Sequence, residues 1–477
     1  MRQIAFILIF FLPAFSKAQQ DKPLLIHHVT VVNVVDGSLR RDAAILIADQ
    51  KIKAIGTFEE LKSQASKENQ VDGGGKYIIP GLWDMHVHLE GQELVEDNQL
   101  LLPVFLAYGI TTIRDCASDL GEQVLEWRNE INAGKRVGPR IFTAGRKLEG
   151  KNSIWKRDLE IENEQELAQS LDLLDQYKVD FVKITENTLA GDLFLKSVAA
   201  AHQRGYKVSG HVPVDLTIAE LVSAGYTSVE HASYLLRLGN DEAGIVAALK
   251  SKSIAPADAN ARYGQSFDQQ RALQGYTALG KAGLFVCPTL IGGRELAYLD
   301  VTDHSKDKAL GYLTEKFTAN YAWRIQRQSG DTPEQRQQRK ERYVFLRAQL
   351  PFMQMAGITL MAGSDAAALN TYVYPAESLI QELEIFKEAG LTPLQILQSA
   401  TLSGPKYFGI QDQVGTVEVG KRADLVLLAE NPLQNISAFR GIEGVLTNGK
   451  YYDRAALANM MEAAKQKKQQ LDISRKK

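Results

Sequence analysis

The chain has 477 residues, of which 45% are hydrophobic and 23% are charged. This composition excludes an intrinsically disordered protein, and the length allows a large domain together with a small one. The formal net charge is −2, so charge gives no reason to expect a nucleic acid or an anionic membrane as a partner.

The N-terminus differs in composition from the rest of the chain. Arg2 precedes an apolar run over residues 4–15, and small and polar residues follow at 16–19. This order is typical of a secretory signal peptide over residues 1–18, cleaved after Ala18, and the run is short for a membrane span. An uncleaved N-terminal anchor is the alternative. We expect a mature chain that is soluble, free of the membrane, and periplasmic or secreted.

The chain has two cysteines, Cys116 and Cys287. They fall on predicted strands that are not neighbours, whereas a disulfide needs Cα atoms within about 7 Å of each other. We therefore predict two buried free thiols.

Short alternating apolar runs occur at both ends of the chain, with turn signals at Asp36-Gly37 and Asn448-Gly449. Alternation of this kind predicts β-strands joined by tight turns. Each set is too short to bury a core alone. We predict one small β-sandwich domain formed by the N- and C-terminal segments, residues 24–78 and 413–455.

Between these ends, short apolar runs alternate with stretches of helical spacing such as Glu164 to Tyr177. Strand–helix alternation predicts parallel βα units. Eight such units predict an α/β fold with a (β/α)₈ TIM barrel over residues 79–412, whose chemistry lies at the C-terminal ends of its strands. The eight predicted strands fall within 79–89, 111–115, 140–144, 180–184, 206–211, 227–231, 284–287 and 359–363.

Two helical segments fall outside this alternation. Residues 289–357 join strands seven and eight, with helical spacing over 333–352, and such a long excursion predicts a lid or a subunit contact. A homo-oligomer is left open. Residues 456–477 predict a polar terminal helix and tail with a basic tip, which we expect to be solvated.

Histidines mark the ends of the predicted strands. His86 and His88 project from one face of strand one, because residues i and i+2 of a strand point the same way. His211 ends strand five and His231 ends strand six, so four of the eight histidines lie at the predicted barrel mouth. Imidazole nitrogens suit zinc, iron, nickel and copper, and this convergence predicts a metal centre.

The complete set of strand-end residues resembles the amidohydrolase superfamily, most closely its imidazolonepropionase-related branch with metal-dependent dipeptidases of the prolidase type. The resemblance covers nearly the whole mature chain. It implies that His86, His88 and Asp365 hold one divalent ion and that His211 and His231 hold another. The motifs that carry it are Pro80-Gly81-Leu82-Trp83-Asp84-Met85-His86-Val87-His88, Val182-Lys183-Ile184, Gly210-His211-Val212, Glu230-His231, Gly363-Ser364-Asp365 and the stretch Gly415 to Leu425.

Through Lys183 on strand four, the resemblance implies a binuclear centre. An ammonium group between two close cations would be repelled, so this lysine must be neutral or chemically altered. The resemblance implies that carbon dioxide carboxylates Lys183 and that the carbamate bridges two ions, expected to be zinc. Imidazolonepropionase lacks this lysine and uses one metal. The alternative is a lysine whose amine reaches solvent at a strand end.

Such a centre predicts hydrolysis of a small-molecule substrate. Divalent ions lower the pKa of bound water to about 7, which makes a bridging hydroxide available to attack a carbonyl carbon. Asp365 would act as general base and then as general acid. It could instead be a ligand without a proton-transfer role, or the N-cap of a helix.

Substrate contacts are predicted after strands three and six. Tyr234 could donate to the substrate carbonyl oxygen, or it could be a packed loop tyrosine. Arg146 could pair with a carboxylate, or it could be an ordinary surface arginine. Further candidates of the same kind are Tyr263, Arg262 and Arg294. The family's glycine-rich continuation after strand four is replaced by Thr185-Glu186-Asn187-Thr188.

We expect a metal-dependent amidohydrolase that cleaves a dipeptide or an N-acyl amino acid. Hydrolysis of a cyclic amide or a lactone by the same centre is the first alternative. A non-catalytic metal-containing binding protein is the second, although a structural zinc site is normally closed by four protein ligands.

Overall fold

The structure of the protein is a computed structural model that describes residues 22–477. The predicted signal peptide lies outside the described residues. Within residues 22–477, none of the helices combines the length and the apolarity that a membrane crossing requires.

Strands and helices alternate through most of the described chain. The strands are β1 (Leu24–Val32), β2 (Leu39–Ala48), β3 (Lys51–Gly56), β4 (Gln70–Asp72), β5 (Tyr77–Pro80), β6 (Leu82–Val87), β7 (Ile110–Asp115), β8 (Arg140–Thr143), β9 (Leu148–Gly150), β10 (Leu159–Ile161), β11 (Val182–Ile184), β12 (Val208–Gly210), β13 (Tyr226–Glu230), β14 (Phe285–Cys287), β15 (Thr359–Leu360), β16 (Leu425–Leu428), β17 (Ile442–Thr447) and β18 (Lys450–Asp453). The α-helices are α1 (Phe58–Leu61), α2 (Val95–Ala107), α3 (Glu122–Asn132), α4 (Glu164–Tyr177), α5 (Gly191–Gln203), α6 (Ile218–Ser223), α7 (Glu242–Lys250), α8 (Pro256–Gln265), α9 (Gln269–Lys281), α10 (Leu290–Ala297), α11 (Glu315–Ala319), α12 (Ala322–Gln328), α13 (Pro333–Met355), α14 (Glu377–Glu388), α15 (Pro393–Thr401), α16 (Ser403–Phe408) and α17 (Arg454–Ser474).

The two ends of the chain meet in one eight-stranded mixed sheet of order β18-β17-β16-β5-β1-β2-β3, with β4 paired to β1. β5 joins the ends, because it pairs in parallel with β1 and antiparallel with β16. At the β17–β18 turn, Asn448 and Gly449 have φ angles of 50° and 74°, as a tight hairpin turn requires. The prediction of one β unit built from both ends is confirmed. Its form as a two-sheet sandwich stays a prediction.

All eight predicted strands of the central region are present, as β6, β7, β8 and β11–β15. They pair in parallel within the runs β6-β7-β8 and β11-β12-β13-β14-β15. Between the runs, the N–H of Asp180 donates to the carbonyl of Thr143, and the N–H of Met85 donates to the carbonyl of Ala362, both at 2.9 Å. The result is an α/β fold whose parallel strands are consistent with a TIM barrel. The sequence did not predict β9 and β10, which pair beside β11.

The interior below the strand ends is closely packed. Cys116 and Cys287 are buried free thiols, as predicted. A Cβ on Gly363 would lie 2.4 Å from the sulfur of Cys287 and 2.8 Å from the backbone nitrogen of His86. Gly363 therefore allows the backbone before Asp365 to approach β6 closely.

The connection between β14 and β15 is helical and comprises α10 to α13. Its longest helix, α13, begins with a capping box between Thr332 and Gln335, which satisfies two N-terminal backbone donors. Tyr343, Leu350 and Met353 anchor α13 on the protein. The helical prediction for 333–352 is confirmed, and the roles as a lid or subunit contact stay predictions.

The prediction of a solvated terminal helix is wrong. α17 packs against α2, with Leu457, Ala464 and Leu471 buried. These residues are spaced by seven, so they lie along one face of the helix. After the helix, Arg475 Nη2 lies 2.6 Å from the buried carboxylate of Asp97, which also fixes the basic tip to the protein.

Replacing Leu471 with alanine should lower the free energy of unfolding by about 2–5 kcal/mol, because it leaves a cavity between α17 and α2. Ile473→Ala is the matched control, since Ile473 is 60% exposed, and it should change stability by no more than about 0.5 kcal/mol. Urea denaturation measures both. Equal and small effects would mean that α17 is solvated after all.

Candidate metal centre

His86, His88 and Asp365 bring three potential ligand atoms together at one end of the central strands. Asp365 Oδ1 lies 3.3 Å from Nε2 of His86 and 3.3 Å from Nε2 of His88, and the two Nε2 atoms are 3.2 Å apart. All three atoms lie within 4.8 Å of one another. Two imidazoles and a carboxylate around one point form a suitable ligand set for zinc.

His231 and His211 extend this cluster to one side. The ring centre of His231 lies 5.2 Å from that of His86 and 5.0 Å from that of His211. The Nδ1 of His231 lies 2.6 Å from the hydroxyl of Thr289, and the Nδ1 of His211 lies 2.8 Å from Glu186. Each ring is held through Nδ1, which leaves Nε2 available for an ion.

Lys183 is buried, with 2% of its surface exposed, and its Nζ has no hydrogen-bond partner within residues 22–477. Burial lowers the pKa values of His86 and His231, and the nearby Lys183 amine contributes in the same direction. A buried ammonium is costly unless it is paired. The alternative in which the amine reaches solvent is therefore not what the structure shows, and the unpaired Nζ fits a lysine that carries or binds a further group.

Three non-glycine residues around the centre have left-handed backbone angles. The φ angles are 72° at His231, 49° at Thr289 and 58° at Asp365. Such angles cost energy and persist where the surrounding structure enforces them, often at functional sites. The backbone turns at these strand ends therefore direct the side chains toward a common point.

The buried ion pair between Glu230 and Arg114 lies on the Nδ1 side of the His86 ring. Glu230 Oε2 lies 2.8 Å from His86 Nδ1, and Arg114 Nη2 donates to both oxygens of Glu230 at 2.8 and 2.7 Å. Ser228 donates to the same carboxylate at 2.7 Å. Because Arg114 already supplies a positive charge, Glu230 is better suited to hold the candidate ligand His86 in place than to bind a cation itself.

A second buried carboxylate positions Asp365. Asp84 accepts the hydroxyl of Ser364 at 2.6 Å and its N–H at 2.9 Å. The N–H of Asp365 in turn donates to the carbonyl of His86 at 2.7 Å. Burial raises the pKa of Asp84 to about 7. These contacts tie the turn after β15 to β6.

Burial favours the neutral imidazoles of His86 and His231, whereas the pKa of His88 is raised by its contact with Asp365 against the effect of burial. Burial, followed by the charge of Lys183, lowers the pKa of His86 to about 4, and burial lowers that of His231 well below its usual value. Burial opposes ionisation of Asp365, but His86 and the other imidazoles lower its pKa below its usual range. Neutral imidazoles and an ionised carboxylate are the protonation states that a metal requires.

Glu186 lies in the loop after β11, and its carboxylate contacts Tyr234. The hydroxyl of Tyr234 donates to Glu186 at 2.6 Å, so this tyrosine is held by a carboxylate and its role as a substrate contact stays a prediction. Glu149 orders the loop: it accepts from Thr185 and from the N–H groups of Asn187, Thr188 and Leu189. A hydrogen-bonded loop thus places Glu186 against His211.

Three of the other residues predicted to contact substrate already have protein partners in the structure. Arg146 lies beside Gly121 and faces Glu122 at 4.0 Å. Arg294 pairs with Glu295 at 2.8 Å, and Tyr263 accepts a hydrogen bond from Arg237 at 3.1 Å. Arg262 is exposed. A substrate carboxylate at Arg146 or Arg294 would have to displace an existing partner, so these contacts do not support the predicted roles.

Sequence reasoning did not single out Arg114, Glu230, Asp84 or Glu186 as functional residues. One signal was present: a charged residue inside a short apolar strand points to a buried ion pair, and Arg114 and Glu230 both occupy such positions. Their pairing across 116 residues of chain could not be read from spacing.

Comparison with known proteins gives consistent similarities. Residues 345–452 match the model of the amidohydrolase family. The chain is 22% identical over 436 residues to ochratoxinase from Aspergillus niger, which covers 85% of this chain and 81% of that protein. Among solved structures, it is similar to a protein described as a prolidase from Bifidobacterium longum, with TM-score 0.66, 21% identity and coverage of 93% of this chain and 99% of the other. It is also similar to a Xaa-Pro dipeptidase with bound methionine, with TM-score 0.65, 20% identity and coverage of 91% and 100%.

Replacing Glu230 with glutamine should weaken zinc binding about 10- to 100-fold, because His86 loses its carboxylate support. Glu126→Gln, on an exposed side chain of α3, is the control and should leave zinc affinity unchanged. Ser228→Ala removes one hydrogen bond to Glu230 and should give a smaller loss. Competition with a fluorescent chelator measures all three. Unchanged affinity in Glu230→Gln would refute the support role.

Proposed function

We propose that this chain, a member of the amidohydrolase superfamily and a hydrolase of carbon–nitrogen bonds, cleaves a dipeptide or an N-acyl amino acid at a centre of two divalent ions, expected to be zinc. One observation carries the proposal: His86, His88 and Asp365 converge beside the amine of Lys183, which is buried and has no hydrogen-bond partner among residues 22–477. The similarity to proteins named as dipeptidase and prolidase supports an amide substrate.

The residues present fit such a centre. His86, His88 and Asp365 would hold one ion, His211 and His231 the other, and Lys183, carboxylated by carbon dioxide, would lie between them. When bound, the ions would polarise the substrate carbonyl and lower the pKa of water to about 7. Conversion of Lys183 to an anionic carbamate would remove the repulsion between an ammonium group and the ions.

Asp365 would transfer the proton. Its carboxylate is ionised and lies against the histidine cluster, where it can accept a proton from water and give it to the leaving amine. The N–H of Asp365 and the side chain of Ser364 fix its orientation through His86 and Asp84. Glu186 holds the His211 ring in position through Nδ1.

The proposal also covers the two domains of the chain and its location in the cell. Residues 79–412 would form the closed (β/α)₈ barrel with the centre at its mouth, and residues 24–78 with 413–455 would form the small β domain. The chain would act outside the cytoplasm, in the periplasm or after secretion, as the composition of residues 1–18 supports.

Removing the ions with a chelator should abolish hydrolysis of dipeptides and N-acyl amino acids, and zinc with bicarbonate should restore it. Lys183→Met should lower kcat at least about 10³-fold, because the bridge between the ions is lost, whereas Lys207→Met on an exposed lysine should have no effect.

The substrates tested should include hydantoins and lactones beside dipeptides and N-acyl amino acids. If only hydantoins or lactones were cleaved, the substrate assignment would be wrong, and if nothing were cleaved by metal-loaded protein, a binding protein would be the better account.

A further inference from the structure

A cavity of about 390 Å³ adjoins the metal centre and is lined by His231 and Asp365. Its other wall comes from the long connection between β14 and β15. The volume lies in the range of about 300–1,000 Å³ that is usual for small-molecule sites. The cavity is therefore large enough for part of a substrate whose scissile group lies at the centre.

Positive charge dominates the lining of this cavity. Three arginines line it, Arg324 on α12 and Arg339 and Arg342 on α13, and the acidic residue in the lining is Asp365. Arg339 is already paired with Asp331. Arg342 is exposed and has no ion pair or hydrogen bond with any residue in the described range 22–477. The wall opposite the centre thus presents Arg342, which has no carboxylate partner within residues 22–477, beside the paired Arg339.

Arg324 is the most firmly positioned of the three. Its Nε donates to the carbonyl of Leu369 at 3.2 Å, and its Nη2 donates to the side-chain oxygen of Asn370. The amide of Asn370 donates to the carbonyl of Asp365 at 2.6 Å. This chain of contacts fixes the guanidinium relative to the metal centre.

One end of the Arg324 guanidinium remains available. Its Nη1 has no hydrogen-bond partner among the residues that the structure describes, and it is not fully enclosed. A planar guanidinium with a free edge binds carboxylates specifically. Its two other nitrogens donate to neutral oxygens, so no protein carboxylate neutralises it through them.

We propose that Arg324, assisted by Arg342, forms a carboxylate-binding subsite that the 289–357 connection supplies to the active site. This inference rests on the proposed function and names its substrate class: amides whose leaving amino acid has a free α-carboxylate. Leu290, Leu296, Tyr343 and Leu346 line the same cavity, so an apolar side chain beside the carboxylate suits it. Arg324 is a specificity-determining residue, and Arg146 is not needed for this role.

The experiment compares an N-acetyl amino acid that has an apolar side chain with the corresponding C-terminal carboxamide, using the zinc-loaded full chain. Wild type should cleave the free acid at least tenfold more efficiently in kcat/KM than the carboxamide. Arg324→Met should raise KM for the acid at least tenfold and change KM for the carboxamide less than twofold. Arg324→Lys should restore part of the preference, because the charge remains but the planar fork is lost.

Arg327→Ala is the matched control, since Arg327 lies on the same helix, is exposed and is not part of the cavity lining. It should behave as wild type. Equal losses for acid and carboxamide in Arg324→Met, or no preference in wild type, would overturn the subsite. If neither compound is cleaved, the proposed function fails separately, and calorimetric binding of the acid decides: loss of binding in Arg324→Met supports the subsite, and unchanged binding overturns it.

Discussion

The burial of the Lys183 amine is the constraint on which the centre depends. The amine is buried beside imidazoles without a hydrogen-bond partner in the described chain, and such burial costs several kcal/mol if the amine remains an unpaired ammonium. Carboxylation would convert the cation into an anion at the point where two dications would otherwise repel each other. The same chemical change would therefore satisfy the lysine and hold the ions together.

Buried carboxylates position the other residues of the centre around Lys183. Glu230, held by Arg114, lies behind His86, Asp84 holds the turn that presents Asp365, and Glu149 orders the loop that places Glu186 against His211. Each carboxylate acts on a different strand end. Fixed ligand positions of this kind reduce the cost of assembling a metal site, and they explain why left-handed backbone angles are tolerated at His231 and Asp365.

The strands and the strand-end histidines could be predicted because their signals are local. Apolar runs of four to eight residues fix the strands, and alternation with helices fixes their parallel arrangement. The small β unit was also predictable, since both ends carry hairpin signals. The polar composition of the terminal helix predicts solvation and obscures its apolar residues at 457, 464 and 471, which repeat every seven positions.

The supports and the cavity wall could not be predicted, since they depend on contacts between distant segments. Nothing in the sequence places Arg324 near Asp365, because that contact requires the folded path of the 289–357 connection. The side-chain chemistry of Tyr234 and Arg146 and their positions after strands predict substrate contacts. Their partners in the structure, Glu186 and Glu122, depend on packing. Substrate contacts on loops are accordingly the least predictable part of such a site.

The most direct test of the account is ¹³C NMR of metal-loaded protein prepared with ¹³C-bicarbonate. The account predicts one carbamate resonance per chain, present together with two bound zinc ions and absent from Lys183→Met. A fully active protein that binds zinc but shows no carbamate resonance would contradict it.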